Sequence, residues 1–156
     1  MNTYERLEDE ACRDGIDIMP YLFKSDRIKG LYSDNAIGIN RNIATEKEKA
    51  CVLAEELGHH YTTAGNIIEQ SKTENRKQEF RARMWAYNKQ IGLIGIVDAY
   101  KHGCHNMYEM AEYLDVTEDF LKDALRQYRN KYGICKTIDN YIIFFEPYLA
   151  VMEKRD

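Results

Sequence analysis

One segment of this 156-residue chain constrains the fold more than any other: ATEKEKACVLAEELGHHYTT, residues 44–63. Thr45 followed by Glu48 matches a capping box, in which a hydroxyl and a carboxylate each take up an orphan N–H at a helix start. A helix is therefore expected to begin at Glu46 and to run to Gly65, whose tolerance of the left-handed conformation suits a C-terminal stop. Within it Ala50, Leu53, Ala54, Leu57 and Tyr61 form an apolar stripe at i, i+3, i+4 spacing, which must face a core, and Cys51 and Val52 widen it. A helix apolar over so much of its circumference is usually buried, so the polar side chains it carries call for partners.

Glu55 and His59 are such side chains. Four residues apart, they share one helix face about a turn apart, close enough for one metal ion to be held by a carboxylate oxygen and an imidazole nitrogen. Glu56, rotated by about 100° from Glu55, could reach a water held beside those ligands. Glu and His at this spacing also occur as an ordinary surface pair worth a few tenths of a kcal/mol. Gly58 argues against that plain reading, because a mid-helix glycine costs about 1 kcal/mol relative to alanine and needs a reason, and close backbone approach is one. Glu56 and His60 are likewise four apart and define a second frame, although Gly58 between Leu57 and His59 favours the first. His60 is then a residue behind the ligands or a packed histidine.

Around this helix the sequence predicts an α+β fold, a mostly helical single domain spanning 1–156 whose core is about 1–92, followed by a helical subdomain and terminal hairpin, about 93–156. Tyr4, Leu7, Ala11 and Cys12 fall at helical spacing from Thr3 to about Gly15. Two short apolar runs flank Ser33-Asp34-Asn35, which predicts a β-hairpin over 28–43. A long helix is expected over 73–90, bearing Phe80, Met84 and Trp85, after which Gly92 and Gly95 loosen the chain. Short helices follow over 93–101 and 106–114, and Thr117 can cap another that ends before Gly133; the last two resemble a helix-turn-helix. Two β-prone runs around Asp139-Asn140 predict a second hairpin with a charged tail behind it.

Composition narrows the function classes. The net charge of −4 offers no chain-wide positive field for a phosphate backbone. No apolar run approaches the roughly 20 residues of a membrane span, and the opening residues, mixed in charge, contain no secretory apolar stretch, so the chain is expected in the cytoplasm and off membranes. The four cysteines, Cys12, Cys51, Cys104 and Cys135, lack CxxC spacing and are read as reduced, buried thiols.

Through Glu55-Glu56-Leu57-Gly58-His59 the chain resembles the ImmA/IrrE metallopeptidase family, whose core motif is His-Glu-Leu-Gly-His. Glu79, Ala82, Trp85 and Ala86 fit that family's later Glu-x-x-Ala-x-x-aromatic-Ala motif, and YEMAEYLDVTEDFLKDAL and DNYIIFFEP look like phage-borne members. The resemblance implies a zincin-like active-site helix, with Glu55, His59 and Glu79 at the metal-ligand positions and Glu56 as the catalytic base. It implies a divalent metal, zinc first, and a protein substrate such as a helix-turn-helix repressor or other transcriptional regulator of a phage or mobile element. The departure is Glu55, where the motif has histidine. Two carboxylates and one imidazole make a harder, more anionic set, which favours manganese or iron more than the usual set does and weakens activation of water. A catalytically weak or inactive anti-repressor module that retains the metal site is the alternative.

Other clusters carry less. His102, Cys104 and His105 surround Gly103 without common zinc spacing, and read as a loop between helices. Arg76, Lys77, Arg81 and Arg83 read as a solvated face, and Trp85 and Tyr87 as core or edge-of-core aromatics. In the helix-turn-helix region, Glu118 and Asp119 occupy the first turn of the helix that would enter a groove, with Glu109, Glu112 and Asp115 before them, so DNA binding is not expected.

Overall fold

The computed structural model describes residues 1–63 and 72–155. They contain six helices and six strands in two small sheets, an α+β fold. The chain divides into two units, Met1–Ala86 and Tyr87–Asp156.

In the first unit α1 (Thr3–Arg13) starts on a reciprocal capping box between Asn2 and Glu5 and buries Leu7 and Ala11. Helix α2 (Glu46–Thr62) starts where the sequence places it, with the Thr45 hydroxyl accepting from the Glu48 N–H at 3.1 Å. The expected stop at Gly65 lies outside the described residues. Strands β2 (Gly30–Ser33) and β3 (Ala36–Asn40) form the predicted hairpin, with Ser33 opposite Ala36. Its two-residue turn puts Asp34 and Asn35 at φ of 49° and 62°, the left-handed geometry that matches the twist of paired strands and that short polar side chains tolerate. Asn40, almost fully buried, closes the hairpin base: its amide donates to the Ile28 carbonyl at 2.7 Å and its oxygen accepts from the Asn42 N–H at 2.9 Å.

The sequence reading missed a third strand. β1 (Asp17–Tyr21) pairs in parallel with β3, giving the order β1-β3-β2. Pro20 is accommodated because β1 lies at the edge, where a missing N–H breaks no ladder. Ile37 and Ile39 of β3 are buried, as are Ala50, Leu53, Ala54 and Leu57 of α2. Tyr61 departs from the predicted stripe: 42% exposed, it lies beyond the core, its hydroxyl donating to the Asp14 carboxylate. Helix α3 (Lys72–Gln90) contributes the buried Ala82, Met84 and Ala86.

In the second unit α4 (Gly92–His102), α5 (Met107–Leu114) and α6 (Glu118–Tyr132) pack in sequence, with α5 and α6 joined by the short turn expected of a helix-turn-helix. Thr117 caps α6, accepting from the Phe120 N–H at 3.1 Å. The core holds Ile96, Val116, Leu121 and Tyr128, whose hydroxyl donates to Asn88 at 3.0 Å. Strands β4 (Cys135–Ile138) and β5 (Tyr141–Phe144) form the second hairpin. The stretch behind it is no free tail: Ala150–Glu153 adds as β6, antiparallel to β5. The cysteines also depart from expectation, since Cys51 is buried but Cys12 and Cys135 are exposed and Cys104 is intermediate.

Candidate functional site

The polar residues of α2 divide into two rows, each facing a different neighbour. Val52, Glu56 and His60, at four-residue spacing, face β2. A Cβ on Gly30 would stand 2.9 Å from Val52 Cγ1 and 3.0 Å from Glu56 Cγ, so only a glycine lets the strand lie this close. Two residues along the same strand face, the Tyr32 hydroxyl meets His60 Nδ1 at 2.8 Å. Neither Gly30 nor Tyr32 was found by sequence reasoning. Their signal is the alternate spacing on a strand, which has meaning only once the strand is known to lie on α2.

In the second row, Glu55 and His59, it is His59 that meets α3. Here the close backbone approach expected at Gly58 is found: a Cβ there would stand 2.2 Å from the Ala82 carbonyl oxygen and 2.8 Å from its carbon. With the helices in backbone contact, His59 Nε2 lies 3.1 Å from Glu79 Oε2, while the other Glu79 oxygen is 3.4 Å from Arg83 Nε. Beyond them, Tyr61 stacks on Trp85 with ring centroids 5.0 Å apart. Arg83 is thus tied to Glu79, whereas Arg76, Lys77 and Arg81 lie on the exposed face.

Glu56 carries the electrostatic signature of the site. Burial raises its carboxyl from the ordinary 4.5 to about 7, and the charges of Glu55 and Glu79 push in the same direction. Three carboxylates therefore stand within reach of one another's fields, with His59 among them. Such an excess of oxygen donors is chemically suited to a divalent cation. The 3.1 Å between His59 Nε2 and Glu79 Oε2 is a little short of the roughly 3.3–3.6 Å that separates two donors about 2.0–2.2 Å from one tetrahedral ion, so a slight parting of the two side chains would admit one. The described side chains bring together His59 and Glu79, with Glu56 beside them. Among the described residues no three His, Cys, Asp or Glu side chains already converge on a point where an ion would sit. His102, Cys104 and His105 fall at the end of α4 and in the loop before α5.

A family model described as Peptidase_M78, IrrE N-terminal-like domain, matches residues 11–126, well over half of the chain and including all of α2 and α3. No curated protein and no solved structure matches the chain.

Proposed function

The chain belongs to the Peptidase_M78 family of metallopeptidases, and from that premise we propose that it is a metal-dependent endopeptidase with its centre on α2 and α3. The observation that carries this reading is Glu56, a carboxyl with its pKa at about 7, next to Glu55 in the chain and near the His59–Glu79 contact. Glu55, His59 and Glu79 would hold the divalent cation, zinc first, with manganese or iron also suited to one imidazole and two carboxylates. When bound, such a cation supplies Lewis acidity toward the scissile carbonyl and the attacking water. Glu56 takes a proton from that water as it attacks and returns it to the amide nitrogen as the C–N bond breaks. A carboxylate within hydrogen-bond reach of that water is suited to both transfers.

The substrate in this reading is a cytoplasmic regulator, a helix-turn-helix repressor of a phage or mobile element, whose cleavage relieves repression. DNA is not a partner, because the first turn of α6 carries Glu118 and Asp119. A second reading, a regulator-binding anti-repressor with little or no catalysis, is favoured by Glu55 itself, a carboxylate where the family's motif has histidine.

The test is incubation of the zinc-supplemented protein with a panel of phage-type helix-turn-helix repressors, followed by intact-mass spectrometry. Two fragments whose masses sum to the repressor plus one water, absent with Glu56→Gln, are expected. Uncut repressor that co-elutes with both proteins would favour the binding module, and neither cleavage nor association would overturn both readings.

A further inference from the structure

Four aromatic rings run one after another across the end of α2, all within the first unit. Tyr32 of β2 meets His60 edge to face with ring centroids 5.5 Å apart, His60 meets Tyr61 in the same way at 4.9 Å, and Tyr61 stacks on Trp85 of α3 at 5.0 Å. Polar contacts tie two of the rings down. The Tyr32 hydroxyl meets His60 Nδ1 at 2.8 Å, and the Tyr61 hydroxyl donates to Asp14, the residue that caps the end of α1. The last turn of α2 is thus held from three sides, by β2, α1 and α3. His59 belongs to that turn.

Burial does not account for the arrangement, since Tyr61 is 42% exposed and Tyr32, His60 and Trp85 are only part-buried. Apolar rings would pack such a corner as well. What a hydroxyl–imidazole bond adds is direction, because a donor has to lie near the lone pair that it meets. Helix ends fray where the last carbonyls lack intrahelical partners, and a frayed turn is free to twist. A twist of about 10° carries an atom at the outer radius of a helix, about 5–6 Å from its axis, through roughly 1 Å. Metal bonds tolerate about 0.2 Å. His59 stands about 100° round the helix from His60, so fixing the direction of one fixes that of the other. The anchor on the strand side is close: β2 lies against α2 at Gly30, where a Cβ would stand 2.9 Å from Val52 Cγ1.

We propose that Tyr32 and His60 are a positioning pair for the metal centre, which sets the rotation of the last turn of α2 and so holds His59 toward Glu79. The pair acts through the helix backbone and takes no part in the proton transfers. This role rests on the reading of His59 and Glu79 as ligands, and adds to them a strand residue, Tyr32, that lies outside both motifs of the sequence.

The experiment measures zinc affinity of the full chain by competition with a chromophoric chelator, and the visible spectrum of the cobalt-loaded protein, with circular dichroism of each metal-free variant. Tyr32→Phe keeps the ring and removes only the hydroxyl. It is expected to bind zinc about tenfold more weakly, with a changed cobalt spectrum and an unchanged helical one. His60→Phe should lose as much and the double variant no more than either single one, whereas His60→Asn, whose side-chain oxygen can stand in for Nδ1, should recover part of the affinity. If His60→Phe does not fold, Tyr32→Phe and His60→Asn decide. Zinc affinity and cobalt spectrum unchanged in Tyr32→Phe, losses that come only with loss of helical signal, or losses that add in the double variant would overturn the pairing and leave the ligand assignment standing. A wild-type chain that takes up neither metal would overturn the ligand assignment, and the pairing with it.

Discussion

Replacing Gly58 with alanine separates two effects that a glycine in mid-helix combines. By intrinsic helix preference alone, alanine would stabilise α2 by about 1 kcal/mol. Against that, the new Cβ would stand 2.2 Å from the Ala82 carbonyl oxygen and 3.0 Å from Ala82 Cα, and both are backbone atoms that no rotamer change can move. Relieving the contact requires α2 and α3 to part by roughly an ångström, which opens the layer where Ala54, Leu57, Ala82 and Ala86 are buried. Overpacking of this kind costs about 1–3 kcal/mol or more, so a net loss of ~1–3 kcal/mol is expected, or roughly 3–10 °C in Tm. Thermal unfolding followed by circular dichroism measures it. Gly95→Ala is the matched control: its Cβ would meet Leu114 Cδ2 at 3.2 Å, the end of a side chain that can turn aside, and Ile91 Cγ2 at an ordinary 3.9 Å. That variant should be neutral or slightly more stable. A Gly58→Ala protein stabilised as much as the control would refute the backbone-contact argument and the seating of His59 against Glu79 that follows from it.

Three further outcomes follow from the same arrangement. In the metal-free protein, raising Glu56 from 4.5 to about 7 means that the folded state binds this proton more tightly than the unfolded chain does. The resulting stabilisation is complete below about pH 4.5 and is lost as pH rises through about 7, so urea unfolding should find Glu56→Gln more stable than the parent at pH 8 by ~1–3 kcal/mol, with the difference gone near pH 4; an equal difference at both pH values would sink the assignment. Glu55→His replaces an anionic donor with an imidazole and should raise zinc affinity relative to manganese and increase turnover of the cognate regulator, whereas loss of turnover would mean that the site is adapted to the carboxylate. Turnover that survives in Glu56→Gln would remove Glu56 from the proton transfers.

What the sequence made legible was local. The Thr45 cap set the start of α2, Asp34-Asn35 and Asp139-Asn140 set both hairpin turns, and the conformational cost of Gly58 pointed to close packing before its partner was known. What escaped depended on distant parts of the chain. Asp17–Tyr21, with Pro20 inside it, has no alternation because it is a mostly exposed edge strand, and its parallel pairing leaves no turn to read. Ala150–Glu153 is short and ends in charge, so its place beside β5 is fixed by pairing and not by pattern. Tyr61 continues the apolar period of α2 past the point where the core ends, which periodicity alone cannot register. The contact of Tyr32 with His60 joins residues 28 positions apart and exists only because Gly30 lets β2 approach α2.

The most direct test of the central claim is elemental analysis of the full chain after zinc supplementation and dialysis, for the wild type, His59→Ala and Glu79→Ala, with circular dichroism on the same samples. About one divalent ion per wild-type chain and close to none in either variant are expected, with the helical spectrum intact in all three. Metal content unchanged in both variants, or a wild-type protein that retains no metal, would contradict it.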